Sequence, residues 1–452
     1  MRFRSLIYFF LIFSVILFAA GCGGDGSGGT SGNDDPAGGN GGADNGNENE
    51  EIQPGPWLCF TANEAGSTVT TVISYGTVIH TPSLEYSCDG EAWLPFVLNS
   101  GDPETDTKIT LANAGDKVYL RAKDKNDSFS EPDESGIVSF AMTGSIAASG
   151  NVMSLVDKDC TATEIPSDYC FESLFEDCAV LTTAPELPAT ILTESCYDSM
   201  FYGCTKLTSA PALPATALAD FCYYCMFYDC TGLTSAPDLP ATTLAFCCYN
   251  FMFSGCTGIT SAPVLPATTL AVSCYEGMFD DCSSLTAAPE LPATTLANSC
   301  YCFMFSGCTG ITSAPVLPAT TLAESCYRGM FYGCSSLTSA PALPATTLEK
   351  ECYWGMFSNC NELTTAPELP AEALKTSCYR GMFQGCEKLN SITVHFVSWT
   401  GSFIYATTDW VIGVKSTGDF YCPSALVGGN PADPGNFDNS KVHAGWTISI
   451  LP

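Results

Sequence analysis

"CYEGMFDDC" occupies residues 274–282. Two cysteines stand eight apart around an aromatic, a methionine and a phenylalanine. Alone, the segment reads either as a site (a metal ligand pair, a redox couple, a disulfide) or as scaffold. The rest of the chain decides between them. "CYDSMFYGC" begins at 196, "CYYCMFYDC" at 222, "CYNFMFSGC" at 248, "CYCFMFSGC" at 300, "CYRGMFYGC" at 326, "CYWGMFSNC" at 352 and "CYRGMFQGC" at 378, with a looser copy, "CFESLFEDC", at 170. These are nine copies with a period of 26 residues and no slip. Self-similarity at a fixed period marks a repeat architecture, in which each unit buries its apolar side only against its neighbours.

Let position 1 be the first cysteine of a copy. Positions 1, 5, 9 and 12 carry Cys, Met (Leu174 in the first copy), Cys and an aliphatic residue. Steps of four then three place them on one face of a short helix running into a turn. Position 8 is Asp177, Gly203, Asp229, Gly255, Asp281, Gly307, Gly333, Asn359 or Gly385. These residue types best tolerate a left-handed backbone, which predicts a helix stop in every copy. The following "LTSAPALPATTL" supplies Leu337, Ala340, Leu343 and Leu348 as inward residues in the copy at 326. Its Pro341 and Pro344 cannot donate to a ladder, so a short strand passes into a polyproline-like run. The predicted fold class is therefore α+β: a solenoid over 161–396 whose coils each hold a short helix and a short strand. "NSITVHFVSWTGSFIYATTDW" (390–410) reads as the closing strand and the start of a C-terminal cap, 397–452.

The cysteines fall on inward positions: Cys196, Cys204, Cys222, Cys230, Cys248, Cys256, Cys274, Cys282, Cys300, Cys308, Cys326, Cys334, Cys352, Cys360, Cys378 and Cys386. Cysteine packs as a small hydrophobe, which predicts structural core ladders of free thiols. Disulfides remain the alternative, favoured by export. Zinc needs four converging ligands, and the chain has only three histidines, His80, His395 and His443. "CYYC" (222–225) appears in one copy only and lacks the setting of a redox motif. No metal and no cofactor are expected.

Outside the repeats, "MRFRSLIYFFLIFSVILFAAGC" opens the chain with two arginines, an apolar core and small residues before Cys22. It has signal-peptide flanks and is short for a transmembrane helix. The small residues before Cys resemble a bacterial lipobox, which implies a leader at 1–21 and a lipid on Cys22. Residues 22–51 are Gly-rich and acidic without a base, the composition of a disordered tether. Residues 52–160 show runs such as "TVTTVISY" and "GDKVYLRA" between turn residues, expected to form a small β-sandwich. Cys59 and Cys88 within it pair or stay as thiols on equal terms. Acids outnumber bases 48 to 16, for a net charge of −32, and no Lys or Arg occurs from Cys222 to Ser325. That field repels nucleic acid and anionic headgroups. The only membrane contact expected is through the lipid.

The pattern "MFYGCSSLTSAPALP" (330–344) resembles the bacterial leucine-rich repeats of the BspA type, over residues 170 to about 396. In that family the slot held here by Cys326 is usually Ile, which supports a buried role for it. The additional proline lengthens the extended run beyond the family pattern. "SLEYSCDGEAWLPF", "TTDWVIGVKSTGDFYCPSAL" and "HAGWTISI" resemble the flanking segments of the same surface proteins. The resemblance implies a leucine-rich-repeat solenoid, surface display (outer membrane in a Gram-negative cell) and adhesion to host or microbial partners.

A binding surface varies where its scaffold does not. The candidate binding residues are Tyr202, Tyr228 and Tyr332 at position 7, and Tyr224, Phe251, Phe303 and Trp354 at positions 3 and 4. Glu186, Asp238, Glu290 and Glu368 join them at position 17. Exposed aromatics stack on sugars or anchor protein partners. No catalytic constellation is legible, and no enzyme is expected. The expected function is a cell-surface lipoprotein binding an extracellular or host protein or glycan, as an adhesin or recognition module. The alternatives are a structural stalk without a ligand and a glycan-capture protein.

Overall fold

The computed structural model describes residues 56–77, 82–98, 106–133, 135–399, 405–427 and 441–452. The leader, Cys22, the 22–51 tether and His80 lie outside them.

The expected helix in each coil does not form. Residues 170–178 and their eight counterparts are ribbons of consecutive tight turns. Position 8 is left-handed in all nine coils, from Asp177 (φ 57°) to Gly385 (φ 76°). The residue before position 1 and the residue at position 4 are left-handed too, as at Ser195 and Ser199. The reason lies in the backbone hydrogen bonds. A helix closes every N–H within its own segment. In the ribbon only alternate N–H groups close locally: Tyr224 donates to Phe221 O (3.1 Å) and Met226 to Tyr223 O (3.3 Å). The others cross to the next coil: Tyr197 donates to Cys222 O (3.1 Å), Ser199 to Tyr224 O (2.8 Å), Phe201 to Met226 O (2.9 Å) and Gly203 to Tyr228 O (2.8 Å). Each left-handed non-glycine residue costs about 1–2 kcal/mol, and the crossing bonds hold neighbouring coils in register.

Register sets up the core as parallel columns. Rings at position 2 stack from Tyr197 to Tyr379 at 5.8–6.0 Å, and rings at position 6 from Phe201 to Phe383 at 5.4–5.9 Å. Both cysteine columns are buried, and every cysteine in them is a free thiol. The position 9 thiols also make a ladder: Cys230 Sγ donates to Phe201 O and Cys256 Sγ to Phe227 O, each at 3.0 Å. Of the expected inward residues, Leu337, Leu343 and Leu348 are buried and Ala340 is half-buried. The expected short strand shrinks to single parallel bridges, such as Ser313–Ser339 and Ala217–Thr243. Between them prolines remove donors, and the run from Ala210 to Ala215 makes no backbone hydrogen bond to either neighbouring coil.

Eight strands precede the repeats: β1 (Leu58–Ala62), β2 (Ser67–Gly76), β3 (Leu84–Ser87), β4 (Leu94–Phe96), β5 (Ile109–Leu111), β6 (Lys117–Ala122), β7 (Gly136–Thr143) and β8 (Ile146–Ser149). Where a sandwich was expected there are two antiparallel sheets, β4-β3-β6-β1-β8 and β5-β2-β7, whose Phe60 and Phe140 rings lie 5.0 Å apart. This region is bonded onto the first coil. Phe140 donates to Leu174 O (2.8 Å) and Val152 to Glu186 O (3.1 Å), and the Phe140 ring stacks on Phe175 at 5.5 Å.

At the other end the solenoid runs past the expected boundary at 396. Tyr405, Asp409 and Gly413 are left-handed at φ 65°, 61° and 79°. Tyr379, Gly381, Phe383 and Gly385 donate to Ala406, Thr408, Trp410 and Ile412. Residues 405–413 are thus a tenth ribbon, offset by 28 residues and with Trp410 in the core. β9 (Ser391–Thr393), in the run after the ninth ribbon, pairs in parallel with β10 (Gly418–Cys422), and β10 with β11 (Trp446–Ile450), in the order β11-β10-β9.

Glycines at position 4 separate two effects. A Cβ on Gly277 would overlap the Phe251 ring, whereas one on Gly355 meets nothing within 4 Å; both are left-handed. Gly355→Ala is expected to lose about 1–2 kcal/mol from backbone strain. Gly277→Ala loses a further 1–3 kcal/mol, roughly, from overpacking, and Phe251→Ala in the same chain recovers that second part. Urea unfolding of the three variants measures this; equal losses at the two glycines contradict it.

The thiol columns set an alkaline limit. Burial pushes Cys326 and Cys386 up to about 12 and Cys378 up to about 11, against about 8.5 in an unfolded chain. The folded state therefore holds protons that the unfolded state releases. The stability this supplies is intact below about pH 8.5 and is lost as pH rises toward 11–12, at about 1.4 kcal/mol per pH unit for each thiol. Denaturation midpoints are expected to be flat from about pH 7.5 to 8.5, above the titration of buried Asp280, and to collapse above pH 9. At pH 7.5 a thiol reagent should modify exposed Cys88 first and repeat cysteines only on unfolding.

Candidate functional site

Two flanks of the solenoid carry the variable residues. The first is the turn ribbon, where positions 3, 4 and 7 lie next to the buried columns. At position 7, Tyr202 and Tyr228 are brought together, half-buried and stacked at 4.9 Å with 6° between planes. Burial, with the Asp229 carboxylate beside it, pushes the Tyr228 phenol up to about 12. Tyr332 occupies the same column four coils later, half-buried between the serine coils of Ser306 and Ser358. Asp280, also at position 7, is raised to about 7 by burial, with the charge of Asp281 beside it adding to the shift.

Positions 3 and 4 do not project as expected from their variability. Tyr224 is half-buried with its ring 5.8 Å from Phe221, and burial raises its phenol. Phe251 lies over Gly277 and Phe303 over Gly329. Trp354 is held between two guanidiniums, Arg328 at 3.9 Å and Arg380 at 4.8 Å from its ring centroid. These aromatics pack along the ribbon rather than standing out from it. Earlier in the same column Asn250 Nδ2 lies 3.5 Å from Glu276 Oε2. Burial raises Glu276, with Ser273, Arg328 and Asn250 opposing the shift.

The second flank is the extended run. Glu186, Asp238, Glu290 and Glu368 at position 17 are all exposed, as are Val264 and Val316 at 79% each. Prolines on either side leave an open groove of about 220 Å³ between neighbouring coils, lined by Pro263, Val264, Pro266, Pro289, Glu290 and Pro292. Among the described residues, Glu368 alone of the four acids has an imidazole partner, His395 Nε2 at 2.6 Å. The position 17 residues belong to a different element from the ribbon aromatics, so the candidate residues form two surfaces.

Sequence reasoning missed Arg328, Arg380 and Tyr405. The two arginines stand at position 3 on either side of Trp354, at the repeat interval, which was a usable signal. Tyr405 was hidden because the tenth ribbon has lost both cysteines. Among the described residues no three or more His, Cys, Asp or Glu side chains converge to hold a metal ion.

The model of the BspA type leucine rich repeat region (6 copies) matches residues 163–312, 223–356 and 299–408. No curated protein and no solved structure matches the chain. The matched span covers more than half of the 452 residues and coincides with the coils described above: the chain belongs to the BspA-type leucine-rich-repeat family.

Proposed function

We propose that this protein is a cell-surface lipoprotein, anchored through Cys22 and held off the membrane by the 22–51 tether. It recognises an extracellular macromolecule, a protein or a glycan, through the flanks of its solenoid. The observation that carries the reading is the split between fixed and variable columns. Positions 1, 2, 5, 6, 9 and 12 keep their character and are buried, as in Cys274, Tyr275, Met278, Phe279, Cys282 and Leu285. Position 17 changes from coil to coil and is exposed from Glu186 to Glu368, while positions 3 and 7 reach solvent in part in most coils and are buried at Glu172, Asn250, Cys302, Ser254 and Ser358. A rigid lattice carrying different side chains at one spacing is the working surface of solenoid binders. Family membership supports the same reading. A structural stalk is the competing one, favoured by Phe251 and Phe303 lying against glycines instead of projecting.

The test presents the purified full chain to immobilised extracellular-matrix proteins and a glycan array. A fragment starting at Cys170 is unsuitable, because Phe171 and Phe175 pack against Phe129 and Phe140 of the preceding region. Two variants accompany the parent: Tyr202→Ala with Tyr228→Ala, and Asp238→Ala with Glu290→Ala and Glu368→Ala. Saturable binding that falls at least tenfold in one set, with an unchanged unfolding midpoint, is the expected outcome. No saturable partner, or indifference to both sets, leaves the stalk.

A further inference from the structure

Taking the surface to be a binding surface, we propose that its ribbon flank between Arg328 and Tyr405 binds a singly charged acidic sugar. Arg380 takes the carboxylate of that sugar. The basis is an alternating stack that crosses five coils. The Arg328 guanidinium lies 5.7 Å from the Phe303 ring and 3.9 Å from Trp354; Arg380 lies 4.8 Å from Trp354 and 5.7 Å from Tyr405. The two arginines differ in one respect. Arg328 Nη1 has Glu351 Oε2 at 3.4 Å. Arg380 has no carboxylate partner among the described residues. A guanidinium stacked on a ring keeps its N–H groups in its own plane, free for a fork to a carboxylate. Trp354 packs against the Arg380 guanidinium in advance, so less rotamer entropy is lost on binding.

Space beside the stack is held open. Gly329 is required, because a Cβ there would strike Phe303; a Cβ on Gly355 meets nothing, and one on Gly381 meets only Gln384 Oε1 at 3.5 Å. Conformation alone does not demand glycine at position 4, since Ser199, Cys225 and Phe251 are left-handed there as well. Two successive glycines therefore leave a shallow shelf next to Arg380, and Tyr405, 59% exposed, offers a ring face at its end.

The class of ligand follows from what the surroundings refuse. A chain of net charge −32 repels a polyanion along its whole length, whereas a single carboxylate meets that field once, at Arg380. An extended peptide would look for backbone partners. The ribbon N–H groups at positions 2, 4, 6 and 8 are already bonded between coils. A pyranose ring carrying one carboxylate needs only an apolar face, a shelf and a cation.

The experiment titrates the purified full chain with 3′-sialyllactose against lactose, and with glucuronate against glucose, by calorimetry and tryptophan fluorescence. An acidic member binding at least tenfold tighter than its neutral counterpart is the expected result. Arg380→Ala and Arg380→Lys should each weaken it tenfold or more, because lysine keeps the charge and loses the fork. Tyr405→Ala should weaken it about threefold, and Lys388→Ala should leave it unchanged. Matched unfolding midpoints show that the variants fold. Equal binding of acidic and neutral sugars, or binding indifferent to Arg380, overturns the proposal. So does a heparin fragment or a Glu-rich peptide that binds more tightly with the same Arg380 dependence. A macromolecular partner without acidic-sugar preference removes only this proposal; acidic-sugar binding without any macromolecular partner supports it and removes the broader one.

Discussion

The structure depends on hydrogen bonds that leave one coil and close on the next. In the ribbon, even positions donate forward to the following coil and odd positions close their own turns. This pattern needs a left-handed residue every fourth position, and all nine repeats supply it. A helical coil would satisfy its backbone internally and offer its neighbours only side chains. The ribbon instead spends half of its donors on its neighbour, so adjacent coils are joined along nine residues. The extended run is tied more thinly: its prolines lack donors, so crossing bonds survive only on either side of them, as from Thr208 N–H to Thr182 O and from Leu218 N–H to Thr243 O, and the coils otherwise meet through buried side chains.

Cysteine at position 9 follows from the same geometry. The side chain must be small, because the position is buried in every coil. It also lies within 3.0–3.1 Å of the position 6 carbonyl of the preceding coil, as Cys282 does to Phe253 O and Cys308 to Phe279 O. That carbonyl already accepts the local N–H; Phe253 O takes the bond from Cys256 N. Thiol donation fills its second lone pair, where a methyl group of similar size would fill only the volume. Position 1 makes no comparable bond along its column, which suits a slot where the resemblance puts Ile.

Repeat length, register, inward positions and the left-handed turn at position 8 were legible because each is written nine times. The helix was not a sound inference. Apolar spacing of four, four and three fits one face of a helix and equally a run of four-residue turns, since both return the chain to the same side. The distinguishing signal was present at position 4, where Gly277, Gly329, Gly355 and Gly381 accumulate inside what would be a helix. The tenth ribbon was illegible for a different reason. It keeps the left-handed Gly413 but replaces cysteine by alanine and valine, and its spacing lengthens by two residues. The packed aromatics of positions 3 and 4 were misread as projecting because variability was equated with exposure.

Variation on this surface is coupled from coil to coil, and that limits where recognition can reside. Phe251 requires Gly277 and Phe303 requires Gly329. At position 8, Asp177, Asp229, Asp281 and Asn359 are each followed by glycine in the next coil, where a Cβ would meet the carboxylate or amide oxygen. A change at these places therefore demands a second change 26 residues later. Positions 7 and 17 carry no such requirement, and neither does the stretch beyond Gly355, where the glycine rule is kept although no ring calls for it. Packing adds to backbone strain in holding glycine under Phe251 and Phe303, whereas beside Arg380 the left-handed backbone alone favours it. In a chain with no base between Cys222 and Ser325, a run of two cations alternating with three rings lies there as well. The absence of a side chain and a guanidinium without a carboxylate partner among the described residues thus fall on the same few positions, which is the arrangement expected of a surface kept clear for a ligand.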